Sequence, residues 1–251
     1  MTERTIKLVL EYDGTCFAGW QVQPGFRTVQ SELEGALSTL CREKVSTVAA
    51  GRTDAGVHAL GQVAGFRTRS DHPCRVFVKG LNALLPEDVV VKSATEVGPD
   101  FHARRSARGK WYRYLVRDGG VRSALSKDRA WEVPWKLEVS FMLDASRGFI
   151  GTHDFSSFRS SSCEAKSPVR EMRRIEIWRD SEGIVVFQLW AQAFLKQMAR
   201  AIVGTLVEVG RGKMESSRVE EILEERDRTV AGPTAPARGL YLLKVDYWEE
   251  T

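Results

Sequence analysis

The stretch TIKLVLEYDGTCFAGWQVQPGFRTVQSELEGALSTLCREKVSTVAA, residues 5 to 50, contains the change of period on which the fold turns. Its first eight residues alternate and favour the extended chain, which predicts a strand over 5–12 running into a turn at Asp13-Gly14-Thr15. From Thr28 the apolar residues fall at Val29, Leu33, Ala36, Leu37 and Leu40, the spacing of one helix face, and Thr28 can cap the first turn. A helix to about residue 42 is expected, followed by strands over 45–50 and 61–68. Between the first strand and the helix, the loop FAGWQVQPG holds Trp20, which reads as exposed.

Outward from this stretch the same alternation of periods continues. A helix near 74–84 and a strand near 88–97 complete one set. A second set follows, with a strand near 109–117, a helix near 139–149, strands near 170–179 and 183–191, helices near 193–209 and 216–226, and a last strand near 239–247. The order β-α-β-β-α-β thus occurs twice, although no residue-level repetition accompanies it. This predicts an α+β fold in which two split βαβ-like halves, residues 1–105 and 106–251, share a largely antiparallel sheet with helices packed on it and a cleft between them. The segments 98–108, 151–168 and 228–238 break the periodicity with Gly, Pro, Ser and Arg and read as loops, where sites concentrate.

The composition bounds the function. With 251 residues, 43% of them hydrophobic and 28% charged, the chain can bury a substantial core. No run approaches the roughly 18 apolar residues of a membrane span, and the start lacks the pattern of a secretory signal. Cys16, Cys41, Cys74 and Cys163 include no CxxC pair, so neither a zinc site nor a disulfide framework is expected, and a cytoplasmic protein with free thiols is. The net charge is only +4, but its distribution is uneven. Between Arg104 and Arg129 nine bases face two acids, Asp118 and Asp128, and are interleaved with Trp111, Tyr112 and Tyr114. Phosphate contacts beside stacking surfaces suit RNA, whereas charge alone fits a solvated face equally well.

The densest chemistry lies in Gly51-Arg52-Thr53-Asp54-Ala55-Gly56-Val57-His58-Ala59. A carboxylate on a glycine-flanked loop can be presented to a cleft and kept ionised by a neighbouring cation, or it can merely cap a turn. No Lys-Ser or Lys-Thr follows the second glycine, which disfavours a phosphate loop. Asp54 and His58 would give a metal only two ligands, with His72, His102 and His153 scattered singly, so no metal is expected. An aspartic-protease pair would need a second Asp-Thr-Gly turn, and Asp13-Gly14-Thr15 has the order reversed. A single reactive Asp survives best.

Eight blocks then spell out a family: YDGTCFAGWQVQ (12–23), TVQSELEGAL (28–37), GRTDAGVHALGQVAGF (51–66), LNALLP (81–86), FHARRSARGKWYRYLV (101–116), FIGTHDFSSFR (149–159), FLKQMARAIVGTLVEVGRG (194–212) and APARGLYLLKVDY (235–247). Together they resemble the TruA family of tRNA pseudouridine synthases nearly end to end. Small departures are MAR where the family usually reads MVR, and Lys110 where Arg is common. The resemblance implies a cofactor-free cytoplasmic homodimer that isomerises uridine to pseudouridine in the anticodon stem-loop of tRNA, about positions 38 to 40, a region whose bases can be splayed out. It implies Asp54 as nucleophile, Tyr112 stacking on the target base, Arg200 pairing with the catalytic Asp, and Leu240 lining the base pocket. It also implies that Arg52 holds the base out of the stack, with His72, Arg104 and Arg105 as backbone contacts. The hydroxyl-rich run from Ser156 to Lys166 reads as a loop able to close on the RNA. The rival expectation is a non-catalytic RNA-binding protein that uses the same basic and aromatic face.

Overall fold

The computed structural model describes residues 3–247. The chain forms two compact units, one running to Arg108 and taking up the chain again from Tyr241, the other Gly109–Leu240. Each is α+β, with a mostly antiparallel sheet and helices packed on it.

In the first unit β1 (Arg4–Tyr12), β3 (His58–Thr68) and β4 (Val89–Val97) form an antiparallel core with β1 in the middle. Short β2 (Thr47–Ala49) pairs antiparallel with β3, and β10 (Leu240–Asp246) returns to lie parallel to its start, Tyr241 opposite His58. The alternation along β1 sends Ile6, Leu8, Leu10 and Tyr12 into a buried layer with Val29, Leu33 and Leu37 of α1 (Val29–Cys41) and Phe77 and Leu81 of α2 (Cys74–Leu84). Each such side chain removed from water contributes roughly 1.5–3 kcal/mol. The Thr28 hydroxyl accepts the Ser31 amide at 3.2 Å and the Ser31 hydroxyl takes the Thr28 amide at 3.2 Å, a reciprocal cap that starts α1 where the periodicity begins.

The second unit orders its antiparallel strands β5 (Gly109–Asp118), β9 (Val185–Ala191), β8 (Val169–Arg179) and β7 (Gly151–Asp154), with β6 (Trp131–Val133) parallel to β5. Its helices are α3 (Val139–Ser146), α4 (Met198–Gly210) and α5 (Arg218–Glu225). Nearly every residue of α4 is buried, which matches its almost unbroken apolar run. The order β-α-β-β-α-β is present in the first unit, whereas the second runs β5-β6-α3-β7-β8-β9-α4-α5 and the strand that follows it, β10, belongs to the first.

Three expectations are corrected. Trp20 is 1% exposed: its ring packs 6.2 Å from Tyr12, its amide donates to the Thr53 carbonyl at 3.0 Å, and its own carbonyl receives Gln30 N–H. Residues 151–168 are not all loop, since β7 pairs with Met172 to Val169 of β8; four residues reading Gly-Thr-His-Asp carry no alternation from which a strand could be inferred. The helix expected from 193 begins at Met198, because Gln197 takes a left-handed φ of +63° and resets the chain direction. The cysteines form no disulfide.

Candidate active site

Asp54 sits half-buried at the head of a turn between β2 and β3, with Arg52 exposed beside it. The Val57 amide donates to the Asp54 carbonyl at 3.2 Å, and Gly56 at φ +76° occupies the third turn position, where a side chain would be strained.

Two supports hold this turn. The first is main chain. Residues 13–20 wrap against it, Trp20 N–H donating to Thr53 C=O at 3.0 Å and Gly56 N–H to Phe17 C=O at 3.3 Å. Gly19, at φ +96°, leaves no room for a β-carbon, which would lie 2.7 Å from the Thr53 oxygen. The second is a buried polar cluster, in which the Tyr12 hydroxyl is 2.7 Å from Thr53 Oγ1 and Gln62 Nε2 donates to Gly51 C=O at 2.7 Å. At the far side of the turn His58, 2% exposed, stacks on Tyr241 with centroids 4.7 Å apart. Its Nδ1 lies 3.1 Å from Gly14 N and 3.0 Å from Asp13 Oδ1. A ring protonated there donates to the carboxylate, and an unprotonated one accepts from the amide. His58 is therefore part of the packing around the turn, and among the described residues no three metal-ligating side chains cluster.

Arg104 and Arg105 are exposed on a turn whose amides donate to His102 Nδ1 at 3.2 Å each. Ala103 between His102 and Arg104 packs with Ala50 and Val63, which anchors this turn beside the chain entering the Asp54 loop. His72 lies elsewhere. It follows the Thr68 end of β3, roughly 30 Å along the strand from the His58 end by the rise per residue, with its ring edge-on to Phe77.

Tyr112, Arg200 and Leu240 belong to the second unit. Tyr112 and Tyr114 share one face of β5, and both are buried. The Tyr114 hydroxyl donates to the Pro236 carbonyl at 2.7 Å, and burial pushes it far above the ordinary tyrosine value despite the opposing charges of Arg200 and Arg238. Tyr112 is 6% exposed, its ring meeting Phe194 edge to face at 4.8 Å. Arg200, partly buried, donates through Nε to Ala235 C=O at 2.7 Å, and Ala235 N–H donates back to Arg200 C=O at 3.1 Å. The segment Ala235 to Leu240 therefore gathers Arg200, Tyr114 and Leu240 in one place.

The basic stripe is less uniform than its sequence. Arg104, Arg105, Arg108, Arg122, Lys127 and Arg129 are exposed, Arg113 and Arg117 half-buried, and Lys110 is 8% exposed. Its aromatics are largely taken up by packing: Trp111 lies flat on Trp190 at 5.0 Å, and Arg173 sits 5.2 Å over the same Trp190 ring. The run from Ser156 is anchored at its start, with Phe155, Ser157 and Phe158 fully buried, and Ser160 N–H donates to Lys196 C=O at 3.0 Å. Sequence reasoning missed Tyr12, Thr53, Gln62 and Gly19 as supports of Asp54. Tyr12 and Gln62 are separated by 50 positions, and nothing in either neighbourhood signals the other.

A family model described as tRNA pseudouridine synthase matches residues 8–104 and 145–248. The tRNA pseudouridine synthase A of Acetivibrio thermocellus is 48% identical over 244 residues, 97% of this chain and 100% of the relative. That of Myxococcus xanthus is 49% identical over 242 residues, 96% of this chain and 91% of the relative. Among solved structures, a Cbf5-Nop10-Gar1 complex aligns with 80% of this chain and 54% of its own at 13% identity and a TM-score of 0.36, too distant to carry an argument. Two matched segments that contain Asp54, Arg200 and Leu240, with near-full-length identity close to one half, place this chain in the tRNA pseudouridine synthase family.

Proposed function

We propose that this synthase uses the Asp54 carboxylate as its covalent catalyst, on uridines of the anticodon stem-loop at about positions 38 to 40, where bases can leave the stack. As a member of its family the chain is an isomerase that converts uridine to pseudouridine in tRNA. Uridine and pseudouridine contain the same atoms, so the reaction needs no net oxidant or reductant. The bond from ribose C1′ to ring N1 breaks, the base turns, and a bond forms from C1′ to ring C5, with the C5 proton lost and N1 gaining one. An ionised carboxylate serves this either by attacking the anomeric carbon or by helping to remove a ribose proton.

The observation that carries the reading is the placement of Asp54, a half-buried carboxylate on a turn whose backbone is clamped on two sides by buried groups. Structural precision of that order is what nucleophilic chemistry requires and what a solvated loop does not need. Tyr112 is assigned to stack on the target base, Leu240 to line its pocket and Arg200 to supply the cation. Arg52, exposed beside Asp54, is assigned to stabilise the extruded base, whose unstacking costs a few kcal/mol. Arg104 and Arg105 take phosphates close to the turn, and His72 takes one farther along the RNA.

We assign the protein to the cytoplasm and to a homodimer. Among the described residues no helix is long and apolar enough to cross a membrane. Support for self-association is the face of the second unit's sheet opposite Tyr112 and Tyr114, where Trp111, Leu115 and Trp190 are half-buried and Trp178 is exposed. Sedimentation as a monomer at working concentration would remove the dimer.

The test is to incubate the purified protein, without added metal or nucleotide, with unmodified tRNA carrying uridines at those positions, and to map pseudouridine beside an Asp54→Ala variant. Product from the wild type alone, with both proteins binding tRNA, is expected. Full turnover by Asp54→Ala would overturn the nucleophile assignment, and binding without product from either protein would favour a non-catalytic RNA binder.

A further inference from the structure

The mechanism so far leaves unused a set of buried polar groups directly beneath the Asp54 loop. Tyr12 is 2% exposed, Thr53 6% and Gln62 0%. Polar groups so deep are retained at a cost unless each is hydrogen-bonded, and here each is. The Gln62 side chain can lie only one way round: its Oε1 receives Val63 N–H at 3.1 Å, and its Nε2 donates to Gly51 C=O at 2.7 Å. Two backbone groups of opposite polarity fix the amide.

That orientation sets the direction of the rest. Gln62 Nε2 also donates to the Tyr12 hydroxyl oxygen at 3.3 Å, so the Tyr12 proton is turned to Thr53 Oγ1 at 2.7 Å. Burial pushes the Tyr12 hydroxyl up to about 12, against the smaller opposing pulls of Thr53 and Gln62, so it remains a donor at neutral pH. The chain Gln62 to Tyr12 to Thr53 therefore runs from the floor of β3 through the end of β1 into the residue preceding Asp54. Gln62 also holds Gly51, three residues before Asp54 on the same loop.

We propose that Tyr12 and Gln62 are positioning residues for the reaction, fixing the height and rotation of the Asp54 turn through Thr53 and Gly51. The inference rests on the reading of Asp54 as the nucleophile. The main-chain bonds from Trp20 and Gly56 keep the loop folded on their own, so losing one buried hydroxyl should loosen the turn without unfolding the unit. Displacement of a reacting group by about 1 Å can cost on the order of 100-fold in rate. tRNA affinity, which exposed bases supply, is not expected to change.

The experiment compares Tyr12→Phe, Thr53→Val, Thr53→Ser and Asp54→Asn, measuring the single-turnover rate of pseudouridine formation at saturating enzyme, tRNA Kd by filter binding, and Tm. Tyr12→Phe and Thr53→Val should each slow the single-turnover rate at least 10-fold with Kd within twofold of wild type. Thr53→Ser, which restores the hydroxyl, should recover the rate to within twofold, and Tyr12→Phe combined with Thr53→Val should lose little more than either alone. Should Tyr12→Phe fail to fold, the Thr53→Val and Thr53→Ser pair decides by itself. Wild-type rates in folded Tyr12→Phe and Thr53→Val, with Asp54→Asn inactive, would overturn the positioning role alone. A full rate in Asp54→Asn would instead overturn the nucleophile assignment and the positioning role with it.

Discussion

Gly19 and Asp54 approach so closely that no side chain fits between their backbones: a β-carbon on Gly19 would lie 3.1 Å from the Asp54 carbonyl carbon and 2.7 Å from the Thr53 oxygen. The residue also holds φ at +96°, a region that L side chains rarely adopt. Gly19→Ala should destabilise the first unit by about 1–3 kcal/mol and push the Asp54 turn aside. Urea titration together with single-turnover product formation checks this. A variant with wild-type midpoint and rate would show that the contact is slack.

Two tyrosines on one strand face should respond differently to loss of a hydroxyl. Tyr114→Phe strands the Pro236 carbonyl, at a cost of about 1–2 kcal/mol in stability, and should leave substantial activity. Tyr112→Phe keeps the ring and its edge-to-face contact with Phe194, and should lower product formation further than Tyr114→Phe does. Tyr112→Ala removes the ring and should cost activity at once. Thermal melts with pseudouridine mapping distinguish the two positions.

Asp118 forms a structural ion pair with Arg179, apart from the Asp54 turn. Its side chain is fully buried and is gripped by Arg179 through two bonds of 2.5 and 2.9 Å, with Leu137 N–H at 2.7 Å. Burial raises its pKa, but the Arg179 bonds, the Leu137 amide and the charge of Lys136 together outweigh that and hold the carboxyl below its ordinary value. A carboxyl lowered in the folded state contributes its full stability above the unfolded value of about 3.9 and loses it as pH falls through the folded one. Stability measured by denaturant should therefore decline below about pH 4 in the wild type. Asp118→Asn should be weaker by about 2 kcal/mol at pH 7, discounted for the partial exposure of Arg179, and flatter across that acid window.

Gly204 in α4 faces the chain that carries Ala235. A β-carbon there would fall 1.7 Å from the Pro233 carbonyl oxygen. Because Arg200, one helical turn earlier, is bonded to Ala235, Gly204→Ala should force the segment away from the helix and disturb Arg200. Activity should fall more than tRNA affinity, with a lowered Tm. Normal activity and Tm would mean that the segment moves aside freely.

Much of this fold is legible in the sequence. Strict alternation over 5–12 and helical spacing after Thr28 come from the local geometry of the chain, and β1, α1 and the reciprocal Thr28–Ser31 cap lie where those periods put them. The dense Gly51–Ala59 block pointed to Asp54 because reactive loops combine glycine, a carboxylate and a cation within a few residues. Periodicity failed where structure depends on partners distant in sequence. Four residues, Gly151–Asp154, become a strand only because β8 lies beside them, and Trp20 is buried only because its loop folds onto the Asp54 turn.

The sequence by itself determined most of the elements and their order and singled out the Gly51–Ala59 block as the candidate, since each of these is written in neighbouring residues. Only the tertiary structure decided what holds the Asp54 turn in place and what Tyr114 bonds to. The Tyr12, Thr53 and Gln62 contacts span 41 and 50 positions, and the Tyr114 bond to Pro236 spans 122. Hydrogen bonds at such separations depend on where strands are brought together, and no local rule of spacing encodes that.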